Sequence, residues 1–418
     1  MKKKLLFRGP LLTRSGYGEQ SRFALRALAS RQDIFDIYIQ PIQWGQTSWI
    51  SEDDEERQWI DETIEKTIGR IQQGGTFDVT YQVTIPNEWE RLAPVNIGFT
   101  AGMETTKVHH QWLQKGNEMD KIIVVSTHAK NTYANTTYQG TNTATNQPAL
   151  LELTTPIDVV NYPVKAFTNP EPVELDLPCE FNFLVMAQMS PRKNITNTIR
   201  WFVEEFHDEE VGLVAKINVA KNCVMDRENT FHQLKAILNN WPERKCKVYL
   251  MHGDLTDNEV HSLINNEKIS ALLTLTHGEG FGLPVFEAAY SGVPVVATAW
   301  SGQLDFLVDR ETGTSNFYPI EYDIQPIPDA VVWDGVIIKE SMWAYPRAES
   351  AKQQMRQCYS DITSGTDNPG TTRAVENAKR LHTVFSEENQ YKAMVASVCD
   401  AMGIDATQSH DEEVLEFE

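Results

Sequence analysis

Residues 277–298, HGEGFGLPVFEAAYSGVPVVAT, set two glutamates, Glu279 and Glu287, around a turn that holds Gly278, Gly280 and Gly282. ALLTLT just before it reads as the end of a buried strand, and HGEGFGL as the turn that follows. Pro284 suits the first position of a helix, and Gly292 suits the left-handed stop before PVVAT opens the next strand. The glycines therefore sit at the N-terminal mouth of a helix, where unpaired N–H groups and the positive end of the helix dipole attract an anion such as a diphosphate. Glu287 falls about one turn into that helix and Glu279 just ahead of it, so both can face the crevice at the strand end without touching each other. A carboxylate offers two acceptor oxygens. One glutamate can grip a vicinal diol such as a ribose, while the other meets sugar hydroxyls or developing positive charge.

Short β-branched strands alternate with amphipathic helices in both directions from this stretch, the pattern of βα units in parallel sheets. FNFLVMAQ, VGLVAKINV, KVYLMHG, ISALLTLT and PVVATAW read as five strands of one sheet, with helices such as NTIRWFVEEF and DNEVHSLINN between them. Upstream, KLLFRG, FDIYIQPI, FDVTYQV, VNIGFTAG, KIIVVST and VVNYPV read as strands of another, and EQSRFALRALAS as one of its outer helices. TNPEPVELDLPCE, residues 168–180, interrupts the alternation with prolines and acids, the composition of a linker. The expected fold class is α/β, with two Rossmann-like parallel-sheet domains facing each other across a ligand-holding cleft. The expected divisions are 1–170, 171–385, a closing helix at 386–403 and a fraying acidic tail at 404–418. Residues 132–152 read as a long surface loop or hairpin, and 316–346 as an irregular excursion containing a strand pair.

The 418 residues carry a formal net charge of −21, which argues against nonspecific adhesion to nucleic acid or an anionic membrane. The charge is uneven: Lys2, Lys3, Lys4, Arg8, Arg14, Arg22, Arg26 and Arg31 face Glu19 alone in the first 31 residues. Such a run is a solvated face by default, and the alternative is a basic lip to the cleft. No stretch reaches the apolar length of a membrane span, and MKKKLLFRGPLL lacks the apolar core and cleavage site of a leader. Five scattered cysteines without a C-x-x-C pair indicate neither a disulfide framework nor a cysteine zinc site, which points to a reducing cytoplasm. GYGEQS approaches a dinucleotide fingerprint, but its third glycine is Ser21 and Asp36 precedes the second strand instead of ending it, which argues against an oxidoreductase.

E-G-F-G-L-P-x-x-E-A, with its glutamates in E-x7-E spacing, resembles the retaining glycosyltransferases of family 4, which have the GT-B fold. MAQMSPRKNITNTIRWFVEEF is similar to the strand and helix that open that family's C-terminal domain. METTKVHHQWLQKGNEMDKIIVVSTHAKNTY, SGYGEQSR and TAWSGQLDFLVDRETG are similar to further parts of it, so the likeness covers most of residues 5–315. It implies that Glu287 binds the donor ribose and that Glu279 contacts the transferred sugar. Gly280, Phe281 and Gly282, with Leu283 beside them, would present backbone amides to sugar and phosphate. Lys193 would neutralise the diphosphate leaving group. Ser15, Gly16, Tyr17 and Gly18, with Arg14 beside them, would form the loop on the acceptor side. Two departures stand out: Gln188 occupies the slot of the usual arginine, with Arg192 placed to compensate, and the histidine common after the fourth strand is absent from GFTAGMETT. His109 and His110 read as a surface pair, and Glu104 as either a pocket carboxylate or a helix cap.

The implied co-substrate is a nucleotide-diphosphate sugar, most commonly a UDP-sugar in that family, and the implied chemistry is retention by front-face attack. No metal or other cofactor is expected, since the sequence holds no D-x-D triplet for a divalent cation. The pattern looks like soluble members found in bacteria and tailed phages. The acceptor would be a hydroxyl, either of a hydroxymethylpyrimidine in DNA or of a saccharide or small molecule. A non-catalytic sugar-nucleotide-binding protein is the alternative, but such a chain would have little reason to keep both glutamates and Lys193.

Overall fold

The computed structural model describes residues 2–45, 49–50, 53–142, 146–167, 172–364 and 368–407. The first half forms β1 (Lys3–Gly9), α1 (Gly16–Ala29), β2 (Phe35–Pro41), α2 (Glu55–Gln72), β3 (Val79–Val83), β4 (Val95–Thr100), α3 (His110–Gly116), β5 (Lys121–Val124), α4 (Thr127–Asn135), the hairpin β6 (Tyr138–Asn142) and β7 (Gln147–Leu151), and β8 (Ile157–Val159). The second forms β9 (Phe181–Gln188), α5 (Ile195–Phe206), β10 (Val211–Asn218), α6 (Val224–Leu238), β11 (Lys247–Met251), α7 (Asp257–Ile264), β12 (Ala271–Thr274), α8 (Leu283–Tyr290), β13 (Val295–Thr298), α9 (Leu304–Leu307), β14 (Tyr318–Ile320), β15 (Tyr322–Pro326), β16 (Met342–Pro346), α10 (Ala348–Thr363), α11 (Pro369–Val384) and α12 (Glu387–Ala401).

Two six-stranded sheets result, ordered β2-β1-β3-β4-β5-β8 and β11-β10-β9-β12-β13-β14. All pairings within them are parallel. Helices cover both faces, so strands such as β3 and β5 are buried along their whole length, including the polar side chains of Thr80, Gln82 and Lys121. The helices obey the complementary rule. In α5, Ile195, Ile199, Phe202, Val203 and Phe206 form one buried stripe, while Arg200 and Glu204 pair on the solvent side. Strand β9 is buried over Phe181–Val185 and emerges at Met186–Gln188, so its C-terminal end opens to the cleft.

The two halves share one apolar cluster that runs from Leu5, Phe7 and Phe99 to Phe281, Phe286 and Phe306. Tyr162 bridges it, with its ring 5.8 Å from Phe23 and 5.1 Å from Phe281. Helix α12 returns to the first sheet, where Tyr81 donates to the Met394 sulfur at 2.9 Å. No helix among the described residues is long and apolar enough to cross a membrane.

Several details bear out or refine the sequence reading. VVNYPV forms a strand only at its start, because β8 begins earlier at Ile157 and the chain then leaves the sheet before Pro163. Residues 132–152 hold the end of α4 and then an antiparallel hairpin. The 316–346 excursion contains the expected pair, β15 with β16, and also β14, which completes the second sheet beside β13. That excursion crosses to the first half: Trp112 donates to the Gly335 carbonyl at 2.9 Å, and Val336 packs with Trp89, Met103 and Trp112. The chain also stays packed past 403, where Arg31 donates to the Ala406 carbonyl. The acidic stretch from 408 onward lies outside the described residues.

Candidate active site

In the second sheet the strand order turns back between β9 and β12, and the loops that leave these neighbouring strands meet at the crevice such a reversal creates. The loop after β9 carries Arg192 and Lys193. The loop after β12 carries the glycine turn. His277 N–H donates to the Arg192 carbonyl at 2.8 Å, and the Arg192 guanidinium donates to the Gly278 carbonyl at 2.6 Å, which locks the two loops together. Asn194 adopts a left-handed conformation, φ 54°, and its amide donates to the Leu275 carbonyl.

Helix α8 starts at Gly282, whose φ of 96° excludes a side chain without strain, and Pro284 lies in its first turn. It ends at Gly292, φ 75°, with Val293 N–H returning to the Ala288 carbonyl and Gly292 N–H to the Ala289 carbonyl. Phe281 points into the shared core, 4 % exposed, so its side chain anchors the turn while its backbone stays at the rim.

Four charged side chains alternate in sign at this point. Lys193 Nζ lies 2.6 Å from one Glu279 oxygen and Arg192 3.0 Å from the other, while Arg192 also reaches Glu104 at 3.2 Å. Glu279 is 7 % exposed. Burial works against its charge, yet the two cations hold its carboxyl at about 2, so it is ionised at neutral pH. Burial pushes the Lys193 ammonium below its ordinary value, with Glu279 opposing. Glu104 is the one member from the first half. It caps no helix, since His109 accepts from Gln111 N–H at the start of α3. His109 is also no surface residue: it is buried against His110, with ring centroids 4.1 Å apart.

Around this cluster the halves touch through bare backbone. A Cβ on Gly278 would lie 2.3 Å from the Glu104 carbonyl oxygen, and one on Gly280 would lie 2.7 Å from that of Ala101. Glycine is required here because another backbone comes this close. Asp305, after β13, crosses to the first half as well: it accepts from the Thr127 N–H at 2.8 Å and from Asn161 at 3.1 Å, and pairs with Arg310. A carboxylate thus sits at the N-terminus of α4, where the helix dipole favours it.

Glu287 lies apart from the Glu279 cluster, in a second polar nest formed with Lys165, Glu19 and Asp257. Lys165 is 2.8 Å from both Glu19 and Asp257. Burial pushes the Glu287 carboxyl up to about 7; Lys165 opposes the rise, and Asp257 and Glu19 add to it. Glu19 itself is held at about 2 by Lys165 and Arg22 although burial opposes its charge. Gln188 joins neither group, because its amide turns outward to the Val219 carbonyl at 2.9 Å.

The loop after β1 is built as a helix start. Ser15 accepts from Gly18 N–H at 2.9 Å, and Gly18 presses on Thr13, whose carbonyl oxygen would be 2.0 Å from a Cβ. Gly16 faces open space. Tyr17 reaches the first sheet's strand ends, bonding Thr100 at 2.8 Å and packing against Trp44 with ring centroids 4.2 Å apart. Arg14, Arg22, Arg26 and Arg57 line a cavity of about 420 Å³ between the halves, opposite Thr256, Asp257 and Asn258. Among the described residues, no three His, Cys, Asp or Glu side chains gather as a metal-binding group would need.

Glu19, Lys165, Asp257 and Asp305 were not singled out from sequence as site residues. Each acts through a partner far along the chain, which the local pattern around it does not reveal.

Among curated proteins none matches the sequence. The architecture is shared with solved structures. A glycosyltransferase from Rickettsia africae ESF-5 superposes with a TM-score of 0.59 at 14 % identity, covering 96 % of this chain and 99 % of that one. Sucrose-phosphate synthase from Thermosynechococcus elongatus gives 0.58 at 12 %, covering 96 % and 100 %. Anabaena HepE, solved with UDP and glucose, gives 0.57 at 11 %, covering 95 % and 100 %. At such identities the likeness is one of fold, and the fold is GT-B: two Rossmann-like domains facing across a cleft. Residues 178–316 match the family model of glycosyl transferases group 1, a span that contains Gln188, Arg192, Lys193, both glutamates and the glycine turn.

Proposed function

We propose that the protein is a retaining glycosyltransferase that moves a sugar from a nucleotide-diphosphate sugar, a UDP-sugar by preference, to an acceptor hydroxyl. The observation that carries this reading is the convergence of Lys193, Arg192 and Glu279 on one glycine turn, inside the stretch that matches glycosyl transferases group 1. The two cations pair with Glu279. A diphosphate arriving at the mouth of α8 competes for them, and its charge is met by Lys193, Arg192 and the first N–H groups of the helix. Glu279, released from Lys193, faces the sugar and stabilises the positive charge that develops as the glycosidic bond breaks. Glu287 accepts from the ribose diol in its separate nest. The leaving diphosphate takes the acceptor's proton on the same face, which retains the anomeric configuration without a protein nucleophile or a metal.

The acceptor we favour is the hydroxyl of a saccharide or small molecule. A hydroxymethylpyrimidine in DNA is the second reading, supported by the basic residues of the first 31 and by Arg14 at the interdomain cavity. The decisive test incubates the protein with UDP-, GDP- and ADP-sugars alone and follows release of the nucleoside diphosphate and the anomer of the free sugar. Slow release of UDP with retained configuration is expected. Binding of a nucleotide sugar with no release of nucleoside diphosphate would favour a sugar-nucleotide-binding protein.

A further inference from the structure

Strand β16 touches both loops of the charged cluster, although it lies beyond the stretch that matches glycosyl transferases group 1. At its start the Met342 carbonyl accepts from the Thr106 N–H at 3.2 Å, and the Met342 N–H donates to the Thr106 hydroxyl at 3.0 Å. Ser341, just before the strand, donates to the Lys107 carbonyl at 3.2 Å. These partners follow Glu104 on the same first-half loop. Further along the strand, the Ala344 N–H donates to the His277 carbonyl at 3.1 Å, and His277 shortly precedes Glu279. Glu104 and Glu279 both pair with Arg192, so the arginine, the two loops and β16 close a ring.

His277 is the pin of that ring. Its N–H is spent on the Arg192 carbonyl, and its Nδ1 lies 2.8 Å from the Ala344 carbonyl. A carbonyl oxygen only accepts, so Nδ1 carries the proton. Burial lowers the ring's pKa, with the Ala344 bond opposing and the Arg192 charge adding to the fall, which keeps the imidazole neutral at pH 7. The ring lies parallel to that of Trp343, with centroids 5.5 Å apart and planes at 4°, and 4.5 Å from that of Tyr345. Backbone N–H, backbone carbonyl and side chain are thus all fixed in one residue. The turn that follows needs such fixing, because Gly278 and Gly280 on either side of Glu279 restrain the backbone little. The place of the Glu279 carboxylate is therefore set from outside the turn, by Phe281 on one side and His277 on the other.

Resting on the proposed transfer chemistry, we infer that His277 is a positioning residue. Through its two bonds to Ala344 it sets the glycine turn against the loop of Glu104, and it acts on the reaction only through Glu279. The test follows nucleoside diphosphate release from the nucleotide sugar that the wild type turns over, in His277→Phe, His277→Asn, Glu279→Ala and the double variant of His277→Phe with Glu279→Ala. Phenylalanine keeps a ring beside Trp343 and Tyr345 without the donor, and asparagine supplies a donor nitrogen at the same branch of the side chain. His277→Phe should lower kcat by about 10- to 100-fold, the scale of a misplacement of up to about 1 Å, with the donor KM changed less than about twofold. His277→Asn should regain most of that loss. On the Glu279→Ala background the same change to phenylalanine should cost less than about twofold, since the group it positions is gone. If His277→Phe does not fold, Thr106→Val, which removes the hydroxyl at the other end of the ring, carries the same prediction. An equal loss on both backgrounds, or a wild-type kcat in the single variants, would overturn the inference and leave the transfer reading standing. A wild type that releases no nucleoside diphosphate from UDP-, GDP- or ADP-sugars would overturn the transfer reading itself, and this inference with it.

Discussion

Glu279 and Glu287 are the same residue type eight positions apart, and their surroundings drive them in opposite directions. Two cations keep Glu279 ionised at about 2, whereas burial lifts Glu287 to about 7. A ribose diol donates to a carboxylate, so donor binding through Glu287 requires its ionised form. The donor dissociation constant should therefore rise as pH falls below about 7, by about tenfold per pH unit, and Glu287→Gln should flatten that slope; calorimetry across pH 5.5–8.5 checks both. For stability the sign is reversed. A carboxyl raised in the folded state costs nothing below its unfolded value of about 4.3 and destabilises increasingly as pH rises from there through its folded value of about 7, so Glu287→Gln should raise Tm progressively over that range and by a constant amount above it. Glu279→Ala should instead lower turnover by about 10²–10³, because the positive charge it faces exists only as the bond breaks. Lys193→Met keeps the side chain's length without its charge and should reduce kcat more than it raises KM, since the leaving group's charge grows in the transition state. If only KM rises, Arg192 takes that role.

Helix α8 and its turn were legible from sequence because their signals are local. Pro284, Gly292 and the β-branched run before the turn act within a few residues of themselves. What the sequence did not disclose is the opposing surface. Gly280 reads as one of the glycines of an anion-attracting helix mouth, yet its need in the structure is also steric, since the Ala101 carbonyl just after β4 sits against it. Glu104 stayed undecided between cap and pocket because its partner, Arg192, is distant in sequence and belongs to the other half. Strand β14 hid inside the excursion as three residues containing a proline, recognisable only once β13 stands beside it. Gly280→Ala tests the steric account. The added methyl should prop the halves apart while leaving the donor side of α8 in place, so nucleotide affinity should hold while turnover falls by about 10²-fold through misplacement of the opposing wall. Small-angle scattering should show a larger radius of gyration. A compact, fully active variant would mean that the Ala101 contact is incidental.

Across the molecule, charge decides which acceptors can approach. The eight basic residues near the N-terminus look like a patch in the sequence, but the fold spreads them over different elements and pairs most of those it describes in detail. Arg22 lies 3.0 Å from Glu19, Arg26 2.5 Å from Glu56, Arg31 2.8 Å from Asp33 and Arg8 3.8 Å from Glu90. A phosphate backbone would have to displace these carboxylates and approach a chain of net charge −21. The interdomain cavity lined by Arg14 also carries Asp54, Glu56 and Asp257, so its wall alternates in sign. Such a wall suits a neutral polyol, whose hydroxyls can accept from guanidinium groups and donate to carboxylates, better than a polyanion. Transfer of labelled sugar should therefore be seen to oligosaccharides or small hydroxylated acceptors, and not to DNA containing hydroxymethylcytosine or hydroxymethyluracil. Running the DNA arms at two salt concentrations makes the outcome electrostatic as well as chemical. Binding that releases counterions weakens steeply with salt, by about 10³–10⁵ between 50 and 200 mM for six to ten phosphate contacts. Label on modified DNA, falling along that slope, would show that the N-terminal arginines exchange their carboxylate partners for phosphates and would return DNA to first place.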